Sequence, residues 1–277
     1  MTILEKIKYQ LQNDPNSEDV CRMMLEKNGL LDYVIIDHEL KKALSPGEQW
    51  LEQFVTVDPE MLNMKALAVK VANSPYETLI TGETGTGKEL IAKSMIGNRA
   101  GPIRSINCAG LPRELMEAEL FGYVKGAFTG GKPGGSDGII LSAKDGLVFL
   151  DEIGELPLDM QAKLLRVIQN KEVRKVGGEK EEPISCKFVF ATNKDIKKMA
   201  LELETFRLDL YARISTLELD ISPLRERICD IKPILESLPG GKEFLAWCKN
   251  PIEFLDISLN VRSLQRLVIR YQVLGVV

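Results

Sequence analysis

Apolar residues recur at helical spacing through the first fifty-odd positions. Ile3, Leu4, Ile7 and Leu11 share one face of a predicted helix, which Asn13-Asp14-Pro15 breaks. Ser17 caps a second predicted helix that stops near Asn28-Gly29. Ser45-Pro46-Gly47-Glu48 marks a third start, with a capping serine, a proline at the first helical position and a glutamate placed to bond back to the cap. Asp58-Pro59 opens a fourth helix and Asn73-Ser74-Pro75 ends it. The period then changes. Short apolar and β-branched runs at Thr78–Thr81, Ile103–Cys108, Leu147–Leu150, Phe188–Ala191 and Leu217–Ile221 alternate with helix-like segments. Strands of this length separated by helices predict a parallel sheet covered on both faces. Right-handed crossovers then gather the loops that follow the strands along one edge, where an open sheet binds its ligand. After Pro223 the pattern is helical again and closes on a helix from about Val261 to Gln272. The expected fold class is α/β, with a helical segment over 1–53, an α/β core over 54–222 and a small helical part over 223–277.

Composition narrows the class without naming a function. The 277 residues carry 36 Lys and Arg against 40 Asp and Glu, a net charge of −4, which argues against an electrostatic DNA wrapper or a polybasic membrane binder. No apolar run approaches the roughly 18–20 residues of a membrane span, and MTILEKIKYQ lacks the apolar stretch of a secretory signal. Five scattered cysteines without a CxxC pair read as reduced thiols of a cytoplasmic protein, and a single histidine, His38, argues against a histidine-based metal centre.

Candidate chemistry begins at GETGTGKE, comprising Gly82, Glu83, Thr84, Gly85, Thr86, Gly87, Lys88 and Glu89. Its glycines let the backbone curl around an anion with its amides inward. Lys88 can reach the β- and γ-phosphates, and the next helix adds its N-terminal dipole. The match to GxxxxGK between a strand and a helix is complete, so ATP is the expected ligand. Glu89 stands where a magnesium-binding Ser or Thr is usual, which leaves Mg2+ to water and another carboxylate. GLVFLDE (Gly146–Glu152) supplies that carboxylate: a buried strand delivers Asp151 to hold magnesium through water and Glu152 to act as general base. A glycine turn and a solvated strand end are the plainer readings of these two segments, and their pairing argues against both.

Further along, ELFGYVKGAFTGG (Glu119–Gly131) resembles the signature loop of the bacterial enhancer-binding proteins, AAA+ ATPases that activate RNA polymerase carrying sigma-54. NCAGLP (Asn107–Pro112), the Gly146–Gln169 block, RKVGG (Arg174–Gly178), FVFATNKD (Phe188–Asp195), FRLDLYARI (Phe206–Ile214) and PLRER (Pro223–Arg227) resemble the same family, in its order, over about residues 58–270. The resemblance implies an AAA+ P-loop fold with a small α-helical lid, ATP hydrolysis, and a homo-oligomer, expected to be a hexamer. It implies that Asn107 is a switch residue holding Glu152, that Asn193 orients the attacking water, and that Arg207 and Arg213 act in trans on the neighbouring subunit's site. It further implies that Arg262 on the lid helix reports loss of the γ-phosphate. A strand-end cap, a turn residue and surface arginines are the plainer readings of Asn107, Asn193 and the Arg207/Arg213 pair. Gly126, Ala127, Phe128, Thr129, Gly130 and Gly131 would contact the sigma-54 RNA polymerase holoenzyme, with an exposed Phe128 explained by that contact.

The chain departs from the family pattern in four ways. Gly131 replaces alanine; FVTVDPEM (Phe54–Met61) replaces a Gly-containing approach to the adenine; and Ser258-Leu259-Asn260 replaces Trp-Pro-Gly-Asn ahead of Arg262. The chain also ends about fifteen residues after Arg262, short of a DNA-binding helix-turn-helix, so contact with DNA is expected only indirectly or through a partner. Two other readings stay open: the same ATPase acting on another protein or nucleic-acid client, and a non-catalytic ring module ordered by nucleotide.

Overall fold

A computed structural model describes residues 44–127, 133–248 and 257–275. The helices expected before Asn28 lie outside the described residues. The first described helix, α1 (Pro46–Glu52), starts as its sequence demands: Ser45 Oγ accepts from the Glu48 amide, and Glu48 accepts from the Ser45 amide at 2.8 Å. Asp58 caps α2 (Pro59–Ala72) by accepting from the amides of Glu60 and Met61.

The core sheet consists of β1 (Thr78–Gly82), β2 (Ile103–Asn107), β3 (Leu147–Asp151), β6 (Lys187–Thr192) and β7 (Leu217–Ile221). Their order is β2-β3-β6-β1-β7 and every pairing is parallel, so all five expected strands form and their C-terminal ends share one edge. A separate antiparallel pair joins β4 (Glu172–Arg174) to β5 (Glu181–Pro183).

Side chains alternate across the central strands. Leu147, Phe149, Val189 and Ala191 meet α2 and α3 (Lys88–Ser94), whose Met64, Ala68 and Ile91 are buried with them. Val148, Leu150, Phe188 and Phe190 face the other layer, built from α4 (Arg113–Phe121), α5 (Gly138–Ser142), α6 (Leu158–Asn170), α7 (Ile196–Leu201) and α8 (Leu208–Ile214). Burial on both faces is why β3 and β6 read as unbroken apolar runs. After β7 the chain builds a third apolar cluster from α9 (Ile231–Ser237), α10 (Gly241–Trp247) and α11 (Val261–Leu274), centred on Leu235, Phe244 and Leu264. Among the described residues no helix is long and apolar enough to cross a membrane.

Candidate nucleotide site

The loop from Gly82 to Gly87 lies between β1 and α3, at the sheet edge where β3 and β6 also end. Gly85 has φ +81 and Gly87 has φ +109, backbone that L side chains rarely adopt. A Cβ at Gly85 would come within 2.2 Å of the Leu259 carbonyl oxygen, and one at Gly87 within 2.8 Å of the Phe54 ring. Lys88 is buried and turns back across the loop, donating to the carbonyls of Gly82 at 2.7 Å and Glu83 at 3.1 Å. Burial lowers its pKa; the negative charges of Glu152 and Asp151 oppose that shift, and Arg262 reinforces it. Glu89 forms an ion pair with Lys93 one turn along α3.

β3 delivers Asp151 and Glu152 beside this loop. The pKa of Asp151 is raised, first by burial and then by the charge of Glu152, while the Glu152 amide and Lys88 pull it down. Glu152 itself has φ +51, a strained backbone for a non-glycine residue at a chemical site. Its carboxylate accepts from the Asn193 amide at 3.2 Å, and Asn193 Nδ2 donates to Thr84 Oγ1 at 3.1 Å. The end of β6 therefore ties the second carboxylate to the phosphate loop.

Asn107 differs from its expectation. Its Nδ2 points to Asp151 Oδ2 at 3.5 Å, and its Oδ1 accepts from the Ala109 amide at 2.8 Å. β2 neighbours β3 with Asn107 in register with Asp151, so the strand pairing directs the amide to Asp151 and not to Glu152.

The lid closes the site from above. Arg262 packs at the loop, its Cγ 3.3 Å from where a Gly85 Cβ would stand. The residue before this helix start, Asn260, was visible in the sequence only as the remnant of an altered approach. It is wholly buried at φ +52, donating to the Thr84 carbonyl at 3.0 Å and to Glu83 at 3.2 Å while accepting from the Leu224 amide at 2.6 Å. Arg225 pairs with Glu83 at 2.7 Å; this bond, followed by that from Asn260, lowers the Glu83 pKa. A second unforeseen device is the buried pair Arg227–Asp230, 3.0 Å apart. Arg227 donates to the carbonyls of Thr86 and Ser222 and lies 5.3 Å from the Phe54 ring centroid. Asp230 accepts from Thr56 Oγ1 and from the amides of Val57 and Asp58. The altered segment Phe54–Asp58 is thereby fixed to both lid and loop.

Arg207 and Arg213 are placed elsewhere. Arg207 precedes α8 and is held by both carboxylate oxygens of Asp209, at 3.0 and 2.7 Å. Arg213, in the last turn of α8, lies 3.7 Å from Glu77, which stands just before β1. The five residues of β1 separate that acid from the end of Gly82, roughly 17 Å at strand rise.

The signature loop is described up to Ala127. Gly126, at φ +83, is exposed. Phe128, Thr129, Gly130 and Gly131 lie outside the described residues. At the loop's base, Tyr123 and Ser136 exchange two backbone bonds of 2.9 Å, and Val176 bonds to Gly122 and Val124, so the Arg174–Gly178 segment is clasped to the same stem.

The arrangement fits a nucleotide phosphate: a left-handed glycine loop, a lysine spanning it, and two carboxylates at the adjoining strand end. Among the described residues no group of three or more His, Cys, Asp or Glu side chains forms a metal cage of its own. The donor set suits a divalent cation held by Asp151, water and phosphate.

The sigma-54 interaction domain matches residues 54–220, well over half of the sequence. The chain belongs to the sigma-54 interaction domain family. Related proteins include the putative uric acid sigma-54-dependent transcriptional regulator UacR of Escherichia coli K12, 42% identical over 79% of this chain and 38% of the regulator. The anaerobic nitric oxide reductase transcription regulator NorR of Serratia proteamaculans is 36% identical over 93% of this chain and 52% of its own. This chain therefore spans about half or less of the length of these relatives. NtrX from Brucella abortus in complex with ADP superposes with a TM-score of 0.69 at 25% identity, covering 92% of this chain and 56% of that one. Hsp104, 17% identical with a TM-score of 0.55, shares the AAA+ fold.

Proposed function

We propose that this chain is an ATPase that remodels the sigma-54 RNA polymerase holoenzyme in the bacterial cytoplasm. The observation that carries the reading is the convergence of Lys88, Asp151, Glu152 and Asn193 on one glycine loop at a parallel sheet edge. Lys88 and the loop amides would hold the phosphates of ATP, and Asp151 would hold Mg2+ through water. When bound, the cation offsets the negative charge that grows on the transferred phosphoryl group. Glu152, fixed by the Asn193 amide, takes a proton from water as that water attacks the γ-phosphorus and the bond to the β-phosphate oxygen breaks, leaving ADP and phosphate. Asn107 gates the pair of acids through Asp151, the oxygen it meets here.

Arg207 and Arg213 serve the neighbouring subunit of a homo-oligomer, which we propose is a hexamer. Support comes from the separation of Arg213 from its own phosphate loop by the length of β1. A cleft of about 730 Å³ lined by Leu158, Met199 and Leu203 adjoins Arg207 through Gln161, which accepts from the Arg207 amide and donates to Thr205, and suits a subunit interface. Arg262 and Asn260 pass the state of the phosphates to the lid. The stem at Tyr123–Ser136 passes it to Gly126–Gly131, which engages sigma-54.

The test is a pair of substitutions. Glu152→Gln is expected to keep ATP binding and lose about 10²–10⁴-fold in turnover, the range for a general base. Lys88→Ala is expected to lose binding itself. Wild-type turnover in Glu152→Gln would overturn the assignment.

A further inference from the structure

Glu77 belongs to none of the motifs above, yet it is an acid only 3% exposed, and such a carboxylate requires positive partners. Two bases reach it from the surface. Lys171 Nζ lies 2.7 Å from Oε1, and Arg213 Nε lies 3.7 Å from Oε2. Lys171 is held in place by its own surroundings: it takes the left-handed position ending α6 at φ +55, and its ammonium lies 5.9 Å from the Phe188 ring centroid. Arg213 is 42% exposed and sits in the last turn of a seven-residue helix, so its guanidinium has room to swing. Arg207 is different, since its partner Asp209 is an exposed residue of the same turn and moves with it.

We propose that Glu77 is a positioning residue for Arg213. The buried carboxylate, fixed at the start of β1, aims the guanidinium outward at the end of the sheet remote from this chain's own phosphate loop, where a neighbouring subunit's γ-phosphate can receive it. The proposal rests on the reading that Arg213 acts in trans. Neutralising Glu77 leaves Lys171 and Arg213 facing each other as like charges, and the arginine leaves its aim.

In the full-length protein, Glu77→Gln is expected to lower kcat roughly 10- to 100-fold, the scale of an ångström of misplacement. KM for ATP and the size of the assembly should stay as they are. Lys171→Met, which removes the other partner, should leave kcat unchanged; an equal loss there would mean Glu77 serves only to seat Lys171, and would overturn the proposal. Subunit mixing supplies the decisive arm. A Glu77→Gln subunit keeps a sound site of its own, so mixing it with Lys88→Ala subunits, whose Arg213 is intact, should restore turnover above either alone. Arg213→Ala mixed with Lys88→Ala should recover in the same way. Recovery with Arg213→Ala but not with Glu77→Gln would place Glu77 in its own site and refute the positioning role. No recovery in either mixture would refute the trans reading and the proposal with it. If Glu77→Gln does not fold, Glu77→Gln/Lys171→Met, which leaves no lysine unpaired, carries the same mixing test.

Discussion

At Asn260 a single buried amide joins three segments: the phosphate loop through Thr84 and Glu83, the first lid turn through Leu224, and the start of α11. Asn260→Ala would leave the buried Leu224 amide without its partner, at about 1–3 kcal/mol, and would remove the bond to the half-buried Thr84 carbonyl. The expected outcome is a lower unfolding midpoint together with weaker nucleotide binding, measured by thermal unfolding with and without ADP. Stability lost with no change in the increment from ADP would separate Asn260 from the site. Asn107 shows the limit of motif reading. Lys88, Asp151 and Glu152 were legible because each sits at a fixed offset from a strand end. The partner of Asn107 was not, because strand register decides it, and register places Asn107 opposite Asp151.

Among elements, the lid and the core are joined by Arg227 and Asp230 more than by apolar contact alone. The pair sits where α9 begins and binds the Thr86 carbonyl on one side and the Thr56–Asp58 segment on the other. Asp230→Ala would bury Arg227 without its counter-charge, a change that costs about 3–5 kcal/mol. Chemical denaturation should show that loss with an unchanged slope; a loss under 1 kcal/mol, the worth of an exposed pair, would contradict the burial argument. The five strands and the caps of α1 and α2 could be read from the chain because their signals are local: short apolar and β-branched runs between helical segments, Ser45 with Glu48, Asp58 before Pro59. The Asp230 anchor could not, since its ligands lie more than 170 residues away and nothing in PLRER announces which arginine is buried.

On the scale of the whole molecule, one chain gathers a phosphate loop, two acids and a lid at one end of its sheet, and holds Arg213 at the other. Such a division fits the proposed ring, in which each subunit would complete its neighbour's site. An arginine supplied in this way stabilises transition-state charge and is worth about 10³–10⁵ in rate. The clasped stem at Tyr123, Ser136 and Val176 joins the α4–α5 layer to the loop that begins at Gly126 and makes the proposed contact with polymerase. The measurement that tests this most directly is binding of sigma-54 in the presence of ADP and aluminium fluoride, a mimic of the transferring phosphate, with Thr129→Ala as the comparison. The expected result is a stable complex that the substitution abolishes while ATP turnover persists. Absence of a complex, from protein that assembles and hydrolyses ATP, would contradict it and leave a motor with a different client.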